Sequence, residues 1–132
     1  MRKSAFILAA LAAVAAVAPA SARERLTGEQ ELAKLTEGRV AGEPRHCINT
    51  YSGGGLRVID GTALVYESGS TVWINLPDDP RRLDDDDILV TRSFGSQLCR
   101  LDIVRTVDRS GFFPTGFVAL GDFVPYRKVK GS

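Results

Sequence analysis

The sequence predicts a mainly β (α+β) domain in which a short N-terminal helix precedes seven or eight short antiparallel strands. Three observations support this prediction. Runs of β-branched and aromatic residues alternate with a period of two, glycine-rich turns separate these runs, and one capping-box motif marks a helix. Short strands at this spacing favour a curled sheet, a small barrel or a sandwich.

A short amphipathic helix is predicted for residues 28–37. Thr27 supplies a capping hydroxyl, and Gln30 lies three residues further on, where its side chain can reach back to the cap. Leu32 and Leu35 follow at helical spacing, so we expect the helix to pack against the rest of the domain by this edge.

The rest of the chain carries the pattern of strands. The apolar runs are LRVID, TALVYES, TVWINLP, ILVTRSF, DIVRTVD, GFVAL and FVPYRKV. Segments rich in glycine, serine or proline separate them, and the ESGS link is short enough for a β-hairpin. Tyr66 and Trp73 are predicted to lie in the core or at its rim.

The N-terminus has the features of a signal peptide. A basic pair at residues 2–3 precedes an unbroken apolar stretch over residues 5–18, and Ala-Ser-Ala at residues 20–22 is a small-x-small cleavage pattern. As a helix the apolar stretch would span about 21 Å, short of the roughly 30 Å hydrocarbon core. We predict a signal peptide at 1–22, a single domain at 23–132, and no membrane insertion after cleavage. The expected location is the periplasm or the extracellular medium.

The charge of the predicted mature domain argues against nucleic acid as a partner. Removing Arg2 and Lys3 from the 17 basic and 16 acidic residues leaves 15 against 16, a net charge of −1. Nucleic-acid and anionic-membrane binders carry a basic excess instead. The charge is uneven, since residues 60–87 sum to −6 and residues 88–132 to +4. Either a partner surface or complementary patches within the domain would explain this asymmetry.

Cys47 and Cys99 are predicted to form a structural disulfide. They are the two cysteines of the chain, and an even count in a small exported domain is typical of a bridge. Closing a loop of about 53 residues would stabilise the fold by about 4 kcal/mol in the chain-entropy description. The alternatives are a metal pair or a catalytic thiol. His46, the single histidine, does not complete a zinc site, and its side chain would face away from that of Cys47 in a strand.

The acidic run Asp84–Asp87 is the candidate metal site. With Asp78 and Asp79 it places six carboxylates within ten residues, and calcium prefers such oxygen ligands. The EF-hand pattern is absent, and in an extended chain only alternate aspartates would share one ion. We predict a solvated loop that guards the following strand, with no metal and no cofactor. The alternative is a small metal-dependent enzyme or hydrolase that uses this loop.

The feature most typical of a binding site is the segment RSGFFPTG, in which Phe112 and Phe113 lie between glycine and proline. Aromatic side chains on a rigid loop are good anchors for a partner. In the alternative interpretation, Phe112 and Phe113 close one end of a small barrel. The chain lacks the motifs G-x-S-x-G, H-E-x-x-H, Walker A and G-x-G-x-x-G. We therefore predict a non-enzymatic binding or structural module. Its surface would be formed by the loops around the acidic run and by the tip at Phe112 and Phe113, and its partner would be an unidentified envelope protein.

Five segments carry a resemblance to a known family: GRVAGEPRHCI, VIDGTALVYE, WINLP, DDDDILVTRSFGSQLCRLDIV and FVALGDFVPY. With them the chain resembles a family of small exported bacterial proteins classed as a domain of unknown function. The resemblance implies export and structural roles for Cys47 and Cys99. Many members carry a further cysteine pair near the positions of Leu83 and Ala119, which this chain lacks. The family has no assigned activity, so the resemblance implies no mechanism.

Overall fold

The computed structural model describes residue 16 and residues 24–51 and 54–130 of the chain. Apart from residue 16, the predicted signal peptide at 1–22 lies outside the described residues and stays a prediction. Within the described ranges, no helix combines the length and the apolar character needed to cross a bilayer.

The structure is mainly β with one N-terminal helix, which confirms the predicted fold class. The helix α1 spans Gly28–Thr36, and a 3-10 turn lies at Pro80–Arg82. The strands are β1 (Arg39–Ala41), β2 (Cys47–Asn49), β3 (Leu56–Ile59), β4 (Ala63–Ser68), β5 (Thr71–Asn75), β6 (Asp87–Thr91), β7 (Gln97–Cys99), β8 (Ile103–Asp108), β9 (Pro114–Ala119) and β10 (Phe123–Lys128).

The strands form three antiparallel sheets. A five-stranded sheet has the order β1-β10-β5-β4-β3, a three-stranded sheet has the order β6-β8-β9, and β2 pairs with β7. None of the sheets in the described ranges closes into a barrel, which leaves the curled-sheet or sandwich form of the prediction. Between residues 24 and 130, apart from 52–53, ten strands are present where seven or eight were predicted. Strands β1, β2 and β7 contain three residues each, too few for a period of two to be recognised.

The helix begins with the predicted capping box. Thr27 Oγ1 accepts a hydrogen bond from Gln30 N at 3.2 Å, and Thr27 N donates to Gln30 Oε1 at 3.0 Å. Leu32 and Leu35 pack against a buried cluster on the five-stranded sheet. This cluster comprises Ile59, Ala63, Val65, Val72 and Ile74. Helix α1 therefore covers the outer face of the five-stranded sheet.

The main core lies between the sheets. Buried residues of all three sheets meet there: Ile48, Leu64, Tyr66, Leu83, Leu98, Val104, Val118, Leu120 and Phe123. Trp73 is partly buried and packs against them. Tyr66 therefore lies in the core and Trp73 at its rim, as predicted. The predicted hairpin is also present, because Ser68 of β4 pairs directly with Thr71 of β5 across the ESGS turn.

Candidate binding surface

The two cysteines lie directly opposite each other on β2 and β7. Their Sγ atoms are 2.08 Å apart, the distance of a disulfide bond, and their Cα atoms are 4.0 Å apart. Beside them, His46 Nδ1 lies 2.8 Å from Asp122 Oδ1 on the exposed surface. The predicted pair is thus brought together between two strands, where it holds the small two-stranded sheet.

The acidic run is a turn rather than an extended segment. Asp87 N donates to Asp84 O at 3.1 Å, and Asp86 N donates to Asp84 Oδ1 at 2.9 Å. The Asp87 carboxylate accepts a hydrogen bond of 2.6 Å from the Thr115 hydroxyl on β9. Two of the four carboxylates therefore support the local backbone and the adjoining sheet.

Asp60 lies close to two of these aspartates, a proximity that was not predicted from the sequence. One carboxylate oxygen from each of Asp60, Asp84 and Asp85 lies within 4.8 Å of the others. The expectation that only alternate aspartates converge is wrong, because it assumed an extended chain and the run turns at this point. Asp85 also forms an ion pair with Arg25. The cluster is mostly exposed, and Arg25 offsets part of its charge.

Arg81 and Arg82 offset the charge of the preceding aspartate. Their Nε atoms donate to the two oxygens of Asp79 at 3.1 and 3.3 Å. The hydrogen bond from Arg81 is the main cause that holds the pKa of Asp79 below its usual range. Asp78 has a different role, since its Oδ1 accepts the Ala119 amide at 2.9 Å and ties this loop to β9.

Phe112 and Phe113 lie on an ordered loop between β8 and β9. Asp108 Oδ1 accepts hydrogen bonds from Ser110 N, Ser110 Oγ and Gly111 N at 2.9, 2.8 and 2.5 Å. Two backbone hydrogen bonds, Phe112 N to Asp108 O and Asp108 N to Phe113 O, close the loop. The two aromatic side chains are 73% and 56% exposed. They do not close the end of a barrel. Instead, the loop presents them to solvent, and we call it the Phe tip (residues 109–113).

The Phe tip is expected to be ordered at neutral pH and to loosen in acid. Hydrogen bonds from Gly111 and Ser110 hold the pKa of Asp108 below its usual range. The stabilisation is therefore complete above the pKa of an unfolded aspartate, about 3.9, and is lost as the pH falls through the lower folded value. Amide NMR shifts of Ser110 and Gly111 between pH 7 and pH 2 measure this transition. The same transition in Asp108→Asn would assign it to another carboxyl group and contradict the expectation.

The outward face of the three-stranded sheet is apolar and uncovered in the described residues. Val90, Arg105 and Phe117 are direct neighbours across β6, β8 and β9, and the two apolar side chains are 42% and 54% exposed. Their sequence neighbours Val104 and Val118 are buried in the core, so the alternation along each strand points the first three outward. We call the set Ile88, Val90, Ile103, Arg105, Val107, Pro114 and Phe117 the outer face.

A β-bulge divides the outer face at β9. Thr106 pairs with Gly116 but Val107 pairs with Pro114, so Thr115 is an extra residue on β9. The outward residues Pro114 and Phe117 are thereby three positions apart instead of two. A groove of about 530 Å³ opens there, lined by Val90, Arg105, Val107, Pro114, Thr115, Gly116 and Phe117.

A second groove adjoins the first along the same face. Its volume is about 360 Å³, and it is lined by Val90, Arg92, Leu101, Asp102, Ile103 and Arg105. Both grooves share Val90 and Arg105, so Arg105 lies between the larger, mostly apolar groove and a more polar one that also contains Arg92 and Asp102. The Phe tip follows Val107 and Asp108 directly after the end of β8, so two further exposed aromatic residues lie next to one end of this sheet.

Comparison with known proteins gives no information about the function of this surface. The chain matches no protein-family model, no curated protein and no solved structure. The resemblance to the exported bacterial family therefore stays a prediction.

Proposed function

We propose that the protein is an exported, non-enzymatic binding module of the periplasm or the extracellular medium, and that it belongs with the family it resembles. The outer face and the Phe tip form its binding surface. Export is supported by the signal-peptide pattern of residues 1–22 and by a bonded cysteine pair, since disulfides persist in oxidising compartments.

The observation that carries this proposal is the contrast between the two larger sheets. The five-stranded sheet has its outer face covered by Leu32 and Leu35 of α1. The three-stranded sheet has an apolar outer face as well, but Val90, Ile103 and Phe117 are 42%, 45% and 54% exposed. Antiparallel sheets normally present polar side chains to water, and contiguous exposed apolar surface is typical of a site that a partner covers.

Site-specific photocrosslinking tests the proposal. A photoreactive phenylalanine at position 117 or 112 is expected to crosslink a discrete envelope partner in cells, because these side chains would be buried in the complex. The same group at position 40 is the matched control, since Val40 is equally exposed but lies on β1 of the other sheet. Equal crosslinking from positions 117 and 40, or none from 117 and 112, would contradict the proposal.

We expect Phe117→Ser to abolish partner capture without lowering the melting temperature by more than about 2–3 °C. The Phe117 side chain is outside the core, and exposed substitutions change stability by only about 0.5 kcal/mol. Pull-down of the partner identified by crosslinking, together with thermal unfolding, measures both effects. A large loss of stability would place Phe117 in a structural role instead.

The alternative function, a metal-dependent enzyme or hydrolase that uses Asp84–Asp87, rests on the Asp60, Asp84 and Asp85 cluster. We expect calcium to leave the melting temperature unchanged, because Arg25 already pairs with Asp85. A site at a hundred times its Kd would add about 2.7 kcal/mol, a rise of order 10 °C. Such a rise, lost when Asp60→Asn and Asp84→Asn are combined, would favour the alternative.

A further inference from the structure

We infer that the outer face binds an extended protein segment that carries a carboxylate between two apolar side chains, in the pattern apolar-x-acidic-x-apolar. The inference rests on the proposed function and names the chemistry of its partner. Strand β8 presents Ile103, Arg105 and Val107 outward at alternate positions. An extended segment has the same repeat of about 6.8 Å between side chains on one face, so three consecutive facing side chains match three on β8.

Arg105 selects the acidic residue of this pattern. Among the described residues, no carboxylate forms an ion pair with Arg105 or Arg92. The second groove contains one carboxylate, Asp102, whose Oδ2 accepts the Cys99 amide at 2.8 Å and which forms no ion pair with Arg105 or Arg92 among the described residues. The Arg105 guanidinium, which lines both grooves, needs an acceptor when a partner excludes water from it. A carboxylate on the partner supplies that acceptor.

The same charge argues against a second copy of this chain as the occupant. In a two-fold dimer formed through the outer face, this surface of one copy would contact the same surface of the other copy. Arg105 lies in the middle of that patch, so two guanidinium groups would meet with no free carboxylate of the face between them. Like charges buried across an interface oppose association. The predicted mature domain at 23–132, with a net charge of −1, also lacks the basic excess that an anionic membrane surface would require.

The backbone at both ends of β8 is strained in a way that displays apolar side chains. Leu101 and Phe112 are the two non-glycine residues with positive φ in the described ranges, at 71° and 54°. L-residues rarely adopt this conformation, and such residues concentrate at ligand-binding segments. Leu101 precedes β8 and lines the second groove, whereas Phe112 follows β8 on the Phe tip. Exposed apolar side chains, Leu101 and Phe112, thus flank β8 at both ends.

The test uses synthetic peptides and a charge reversal. The probe is a peptide in which phenylalanine, valine, glutamate, valine and phenylalanine alternate with threonines, and its controls replace the glutamate by glutamine or lysine. Fluorescence anisotropy with the oxidised mature protein is expected to give at least tenfold tighter binding of the glutamate peptide than of either control. Arg105→Glu should reverse the order, so that the lysine peptide binds best. Arg127→Glu, an equivalent change at an exposed position of β10, should leave the order unchanged.

Each other outcome overturns the inference in a distinguishable way. Equal binding of all three peptides that is lost in Phe117→Ser would reject the acidic specificity and leave an apolar binding surface standing. No binding of any peptide would reject the extended acidic partner, and the crosslinking from position 117 would then decide the proposed function separately. A concentration-dependent dimer mass in sedimentation that is lost in Phe117→Ser would identify the occupant as a second copy instead.

Discussion

Removing the disulfide, by Cys47→Ser combined with Cys99→Ser, is expected to lower the free energy of unfolding by about 2–4 kcal/mol. The bond closes a loop with a sequence separation of 52 residues, so its loss increases the conformational entropy of the unfolded chain. It also joins two strands of only three residues each, whose pairing buries little beyond Ile48 and Leu98.

Thermal unfolding measures this effect. For a domain of this size we expect a fall in melting temperature of order 10–20 °C. The parent protein in reducing agent is the matched control and should unfold at the same temperature as the double-serine variant. A variant as stable as the oxidised parent would contradict a structural role for the pair.

Asn75→Leu is expected to lower the free energy of unfolding by about 2–5 kcal/mol. The Asn75 side chain is fully buried. It forms the hydrogen bonds that the backbone of a neighbouring strand would otherwise form with Gly121, which lies between β9 and β10. Its Nδ2 donates to Gly121 O at 2.8 Å, and its Oδ1 accepts from Gly121 N at 2.9 Å. Leucine would leave both backbone groups of the partly buried Gly121 without their protein partners, at about 1–3 kcal/mol each.

Chemical denaturation with Asn49→Leu as the control distinguishes this effect from a general loss of asparagine. Asn49 is exposed and accepts one hydrogen bond from Tyr51 N in a turn, so we expect a cost below about 1 kcal/mol. Gly121→Ala should resemble Asn75→Leu, because a Cβ there would lie 2.3 Å from Leu76 O. Equal stability of Asn75→Leu and the parent would mean that water satisfies the Gly121 backbone.

The acidic run shows where sequence reasoning reached its limit. Its turn residues and prolines predicted a loop, and the loop is present. Which carboxylates meet was not predictable, because Asp60 at the end of β3 reaches Asp84 and Asp85 only through the packing of distant segments. An extended-chain argument applied to a turn then led to the wrong set of neighbours.

The sequence contains a pattern that indicates the outer face, and the fold prediction did not use it. Strand β6 has three consecutive apolar residues, Ile88, Leu89 and Val90. Consecutive side chains point to opposite faces of a sheet, so both faces of this strand are apolar, which is typical of a strand covered on both faces. The strand was recognised, but its second apolar face was not. The importance of Arg105 depends on the register of β8 with β6 and β9 and on the bulge at Thr115, neither of which the sequence specifies locally.

The sequence by itself determined the features that depend on near neighbours or on a single possible pairing. The capping box at Thr27, the hairpin between Ser68 and Thr71, and the pairing of Cys47 with Cys99 belong to this group. Only the tertiary structure decided which apolar face is covered. Helix α1 packs on the five-stranded sheet and not on the three-stranded one. The alternation within a strand defines two faces, but the elements that pack against them decide which face meets water.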